Sequence, residues 1–278
     1  MSMRSIPGMS PRLFLQIVSL EARKLMSYRA DFWLYAVVSV TVHFGVQYYL
    51  WSSIYADRHG AAIGGRTLTD TLQYYMLVIL FAKFVQSGDY WGDVMRDIYD
   101  GSLTRYLIYP VAFTPFKYAQ RLGNAVPTLL QIGVFAALYH ALFGWILPAR
   151  PLWQCAGMTA VGLVAANFLL FLLQYALELI SFWSDSTWSL IAMLKWITFI
   201  LGGFMIPLDL YPDWARSILA WLPFQYLFYQ PVQLMLGHIA PGEFCAGLGI
   251  MSLWMLALGG SAALLWRAGD RQYTGVGI

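Results

Sequence analysis

Six apolar stretches, each long enough to cross a lipid bilayer, limit what this chain can fold into. A hydrocarbon slab asks for about 20 apolar residues per helix, at about 1.5 Å each, and leaves no backbone polar group unsatisfied. Residues 32–55, 152–177 and 244–266 meet that demand without a single Asp, Glu, Lys or Arg. Residues 125–147 carry only His140, and residues 72–87 and 187–208 contain one lysine each, Lys83 and Lys195. Composition agrees: 59% of the 278 residues are hydrophobic and 11% are charged, against roughly a quarter charged in an average soluble domain. The expected fold is all-α and polytopic, one transmembrane domain over residues 1–278.

Lysine and arginine collect in loops that stay on the cytoplasmic side. With both termini inside, eleven of the 17 basic residues lie in the cytoplasm, Arg58, Arg66, Arg150 and Arg216 lie outside, and Lys83 and Lys195 fall within spans. The net charge of +3 is therefore a signal of topology in a multi-pass protein of the inner or cytoplasmic membrane, and nothing in it supports a nucleic-acid partner. Residues 1–11 have no apolar core followed by a small-residue cleavage site, so no removable signal peptide is expected. Cys155 and Cys245 both fall at outer ends of spans, where a disulfide is conceivable and two unpaired apolar thiols are the expectation.

Three connecting segments have patterns of their own. Over residues 11–30, Ser10 can cap a helix with Pro11 at its first position. Arg12, Gln16, Ser19 and Arg23 then form one face, and Leu13, Phe14, Ile17, Val18 and Leu20 the other, as in a helix lying flat on the membrane interface. A short helix resting on another subunit is the alternative. Over residues 97–110, Ile98, Leu103 and Leu107 are apolar points on a polar stretch ended by Pro110, which predicts a short amphipathic helix placed to meet a soluble partner. Residues 209–243 crowd Trp214, Trp221, Phe224 and Tyr229 around Pro223. Two short helices dipping back into the interface would accommodate them.

Few constellations could carry catalysis. Asp89, Asp93 and Asp97 stand four apart, with Asp100 three further on, and on one continuous helix they would form an acidic stripe. Such a stripe could hold magnesium and a diphosphate, as in a membrane prenyltransferase, or could simply face solvent or a partner. That chemistry wants a second acidic cluster, and Glu178 and Asp185 stand alone. The four histidines are scattered, and Gly-x-Ser-x-Gly, His-Glu-x-x-His and Cys-x-x-Cys are all missing from the sequence. So is the phosphate-cradling loop, because no lysine follows a glycine. Any ATP hydrolysis would belong to another chain. Lys83, about a turn from its span's inner end, can snorkel. Lys195, about two turns deep, calls for a partner such as Glu178 or for a watery cavity.

Taken in order, these segments resemble the permease subunits of type-2 ATP-binding-cassette exporters, in the compact group of about 260 to 280 residues. The likeness rests on Arg29-Ala30-Asp31-Phe32-Trp33 at the first span and on Ile98-x-x-Gly101-Ser102-Leu103 with Leu107-x-x-Pro110 after the second. Gly203-x-x-Ile206-Pro207-Leu208, Pro212-x-Trp214, Leu222-Pro223-Phe224, Tyr229-x-Pro231 and Leu236-Gly237 follow. The resemblance implies a coupling segment at Asp97, Ile98, Gly101, Ser102, Leu103, Leu107 and Pro110, docked on a nucleotide-binding subunit present in two copies. It implies a pathway along the second and fifth spans, with Lys83, Trp188, Lys195 and Phe199 as lining. It also implies an outer gate at Pro207, Trp214, Trp221, Pro223, Phe224 and Tyr229. A second permease, identical or paralogous, would complete the pathway, and ATP and magnesium would sit on the partner subunit, with no cofactor or metal on this chain.

Overall fold

The computed structural model describes residues 9–59, 61–88, 92–108, 111–145, 148, 150–184 and 187–273, with the side chain of Leu107 left aside. The chain is helical along almost all of this length. Helix α1 (Pro11–Ser27) leads into α2 (Arg29–Asp57), α3 (Leu68–Val85), the short α4 (Asp93–Tyr99) and α5 (Leu103–Ile108). Then come α6 (Phe113–Ala125), α7 (Thr128–Phe143), α8 (Leu152–Glu178), α9 (Trp188–Leu201), α10 (Asp213–Leu219), α11 (Tyr229–Met235) and α12 (Pro241–Asp270).

Four described stretches are long and apolar enough to cross a bilayer: Leu68–Val85, Phe113–Phe143, Leu152–Phe182 and Pro241–Asp270. The first of these is buried in protein almost end to end, without a break from Thr71 to Ala82, because α2, α7, α8 and α11 all pack on it. A helix covered on every side needs no polar face, and α3 has none. The other two expected spans differ from these. At 29 residues α2 is long enough, but Ser39, Thr41, His43 and Gln47 dilute its apolar run. At 14 residues α9 rises only about 21 Å, short of a hydrocarbon core of about 30 Å. It stops at Gly202, well before the expected boundary at residue 208, and the chain turns into the α10–α11 hairpin.

That hairpin folds back on the bundle. Residues Gln230 to Leu234 of α11 are buried against α8 and α3, as the aromatic-rich linker predicts. At the other end of the bundle α1 lies on α6. Its N-terminus is capped as the sequence predicts, Leu13 N donating to Ser10 Oγ at 3.3 Å. The two faces are drawn differently from the sequence pattern: Ile17 and Glu21 are the buried positions, while Leu15 and Leu20 are 64% and 65% exposed. Gly123 explains the register. A Cβ there would stand 2.6 Å from Glu21 Cβ and 2.8 Å from the Val18 carbonyl, so only glycine lets the two helices approach this closely.

The segment expected as one amphipathic helix over 97–110 is instead two helices, α4 and α5. Gly101, with φ of 72°, breaks them, in a backbone conformation open to glycine and strained for most other residues. Nor do the aspartates continue the second span, since α3 ends at Val85 and α4 begins afresh at Asp93. Asp89, Pro110 and Asp185 lie outside the described residues. Both cysteines are free thiols, Cys155 buried and Cys245 exposed.

Candidate functional site

Three arrangements stand out, one at each end of the bundle and one between them. At the first end, α4 is fastened to α8. Gly92, which precedes α4, has no side chain to cap it. The buried carboxylate of Glu178 takes that role: Val94 N and Met95 N donate to its Oε2 at 2.8 and 3.4 Å, where a helix N-terminus welcomes negative charge. Glu178 is thus committed to α4 and not to Lys195. Asp97 accepts from Ser102 Oγ at 2.8 Å and pairs with Lys117 Nζ at 2.5 Å, so the carboxylate a magnesium site would need is already taken.

Ile98 and Leu103, 1% and 0% exposed, pack with Phe171, Leu172, Tyr175, Leu179 and Phe182. These two face the chain's own core and not a partner. Exposed along α4, α5 and the turn between them are Asp93, Arg96, Tyr99, Asp100, Thr104, Arg105 and Ile108, the last 77% exposed. Close by, the buried end of α3 needs acceptors satisfied. The Arg121 guanidinium donates to the Val85 carbonyl at 2.9 Å, and Asn167 Nδ2 to the Phe84 carbonyl at 2.8 Å. The ends of α3, α4, α6 and α8 are joined in this way into one polar-locked block.

At the opposite end, Asp209 gathers three donors, one from the α2–α3 connection and two from α11. Arg66 Nε donates to Asp209 Oδ2 at 2.8 Å, the Tyr229 hydroxyl donates to Oδ1, and Gln233 Nε2 donates to Oδ2 at 3.3 Å. Burial first, and the neighbouring carboxylate second, push the Tyr229 phenol above its usual pKa, so it stays a donor. The Arg66 guanidinium also sits 5.0 Å over the Tyr74 ring. The Tyr74 and Tyr75 hydroxyls donate to the carbonyls of Gly203 and Met205 at 2.6 and 2.8 Å. This latch pins the hairpin to α3. Of the expected gate residues, Tyr229 belongs to it, Pro207 and Pro223 are buried, Phe224 is half-buried, and Trp214 and Trp221 are exposed. The Trp221 carbonyl accepts from Trp254 Nε1 at 2.8 Å. Arg66 and Asp209 are functional candidates that motif reading passed over.

Between these ends lies a cavity of about 840 Å³ that reaches from α4 and α6 up to the end of α9. Lys83 and Phe199, two of the expected lining residues, meet in its wall. Lys195 instead lines a separate small pocket with Gln86, Gln174 and Thr198, and Trp188 is exposed at the start of α9. The wall that sequence reading missed is α2, whose Phe32, Tyr35, Ser39 and His43 all face the cavity. Their spacing of three and four is one helical face, visible in the sequence as polar positions within an apolar span.

A family model described as ABC-2 family transporter protein matches residues 41–277. No match was found among curated proteins. The matched stretch runs from within α2 to beyond α12 and takes in the locked block, most of the cavity wall and the latch. The chain therefore belongs to the ABC-2 transporter family, as a multi-pass membrane permease.

Proposed function

We propose that this permease forms half of the substrate pathway of an ATP-driven exporter and draws its energy from a separate nucleotide-binding subunit. The observation that carries the proposal is the α4–α5 segment. It is held rigidly from behind by Glu178, Lys117 and the Ile98–Leu103 core, yet leaves Tyr99, Asp100 and Ile108 exposed. Two short helices braced against several spans and open in front suit a lever that takes force from a soluble partner. The complex would hold two permeases, identical or paralogous, over two ATPase subunits that bind ATP and magnesium. The termini and α4–α5 would face the cytoplasm, in keeping with the charge bias of the loops.

The cavity bears on the direction of transport. Asp97 and Lys117 stand at its α4–α6 end, whereas the Arg66–Asp209–Tyr229 latch ties up the other. A pathway approached from the inside and fastened on the outside is poised to load cargo for export. The test is co-purification of the tagged chain with its nucleotide-binding subunit in mild detergent, read by ATP hydrolysis in the eluate. Wild type is expected to bring hydrolysis with it, and Ile108→Asp and Tyr99→Ala to lower that activity by about tenfold. Hydrolysis that fails to accompany the wild-type chain would overturn the proposal, as would full hydrolysis in both variants.

A further inference from the structure

We infer that the cavity holds an anionic amphiphile, its acidic headgroup paired with Lys83 and its apolar body lying toward Phe199 and Phe204. The inference rests on the permease reading only in calling that ligand cargo. Its starting point is the charge balance of the cavity wall. Lys117 is neutralised by Asp97 at 2.5 Å and Lys24 by Glu21 at 3.4 Å. Asp31 and Asp93 sit in the first turns of α2 and α4, where a helix N-terminus favours a carboxylate, and Arg96, also in the wall, is exposed and has an interaction of its own. Lys83 is different. Its ammonium lies 5.5 Å over the Tyr35 ring, and among the described residues no carboxylate pairs with it.

A half-buried ammonium whose described contact is an aromatic face is under-compensated, and an incoming anion would complete it. The surroundings set the rest of the ligand. Beyond Lys83 the wall turns apolar: the Phe199 and Phe204 rings stack at 4.6 Å, and Phe204 meets His43 edge-on at 6.3 Å. A hydrated inorganic anion would gain nothing from these rings. An alkyl or aryl body would lose its water against them, at about 25 cal/mol per Å² of apolar surface covered. The volume of about 840 Å³ lies within the range of about 300 to 1,000 Å³ that small-molecule sites occupy. The Lys83 ammonium beside an aromatic wall fits one acidic group, a carboxylate or phosphate monoester, carried on an apolar body.

The test uses the full chain in phosphatidylcholine nanodiscs without nucleotide, titrated with 11-(dansylamino)undecanoic acid and, separately, with its methyl ester. Wild type is expected to bind the acid about tenfold more tightly than the ester. Lys83→Gln should weaken the acid alone, bringing the two within about twofold, and Lys83→Arg should restore the preference. Equal binding of acid and ester by wild type would overturn the inference, as would an undiminished acid preference in Lys83→Gln. Acetate or inorganic phosphate displacing the probe as well as dodecanoate does would reduce the site to a small-anion site and sink the amphiphile. Because no ATPase takes part, these outcomes are independent of co-purification: the site can fail while the permease reading stands, and the reverse.

Discussion

Two single residues set how the polar-locked block is built. Glu178 supplies to α4 the cap that Gly92 lacks, and loss of an N-cap acceptor costs about 1–2 kcal/mol. Glu178→Ala is therefore expected to lower the thermal unfolding midpoint in detergent. Glu178→Gln, which keeps a carbonyl oxygen for Val94, should lower it less; equal midpoints for the two variants would remove the cap from the account. Gly123 is the second. An added Cβ would press on Glu21 Cβ and the Val18 carbonyl, and overpacking of this kind costs about 1–3 kcal/mol. Gly123→Ala should loosen α1 from α6, read as faster tryptic cleavage after Arg23. Unchanged cleavage would show that α1 is not seated by this contact.

Among the elements, what could be read from sequence was whatever averages over many residues. Long apolar runs located α3, α7, α8 and α12, because a helix in hydrocarbon has to satisfy its own backbone and little else. The aromatic crowding of residues 209–243 marked a segment too apolar to be an ordinary loop, and α11 is indeed buried. Averaging also concealed things. In α2 the Tyr35–Ser39–His43 stripe disappears into the mean of a long window, although it forms a wall of the cavity. Periodicity showed that Ile98 and Leu103 share apolar character but not which way they face, since that depends on Phe171 and Tyr175, more than 65 positions away in sequence. The latch joins Asp209 to Arg66, 143 positions away in the chain, and to Tyr229, 20 positions away, and local pattern carries no trace of it.

At the scale of the molecule, the three arrangements divide the permease into a braced α4–α5 segment, a cavity walled in part by Lys83, and a hairpin fastened to α3. Family membership fixes the class of machine, and the geometry suggests how force could cross it: from α4 through Glu178 into α8, which packs on both α3 and α11. In the proposed exporter, events at α4–α5 have to be felt at the latch. The most direct measurement is the labelling rate of a cysteine placed at the half-buried Phe224, in a Cys245→Ser background, in the reconstituted complex with its ATPase. The coupling account predicts a rate that changes severalfold when ATP is added, and a change that disappears when Ile108→Asp is introduced at the other end of the molecule. A rate identical with and without ATP, or an ATP response that survives Ile108→Asp, would contradict it.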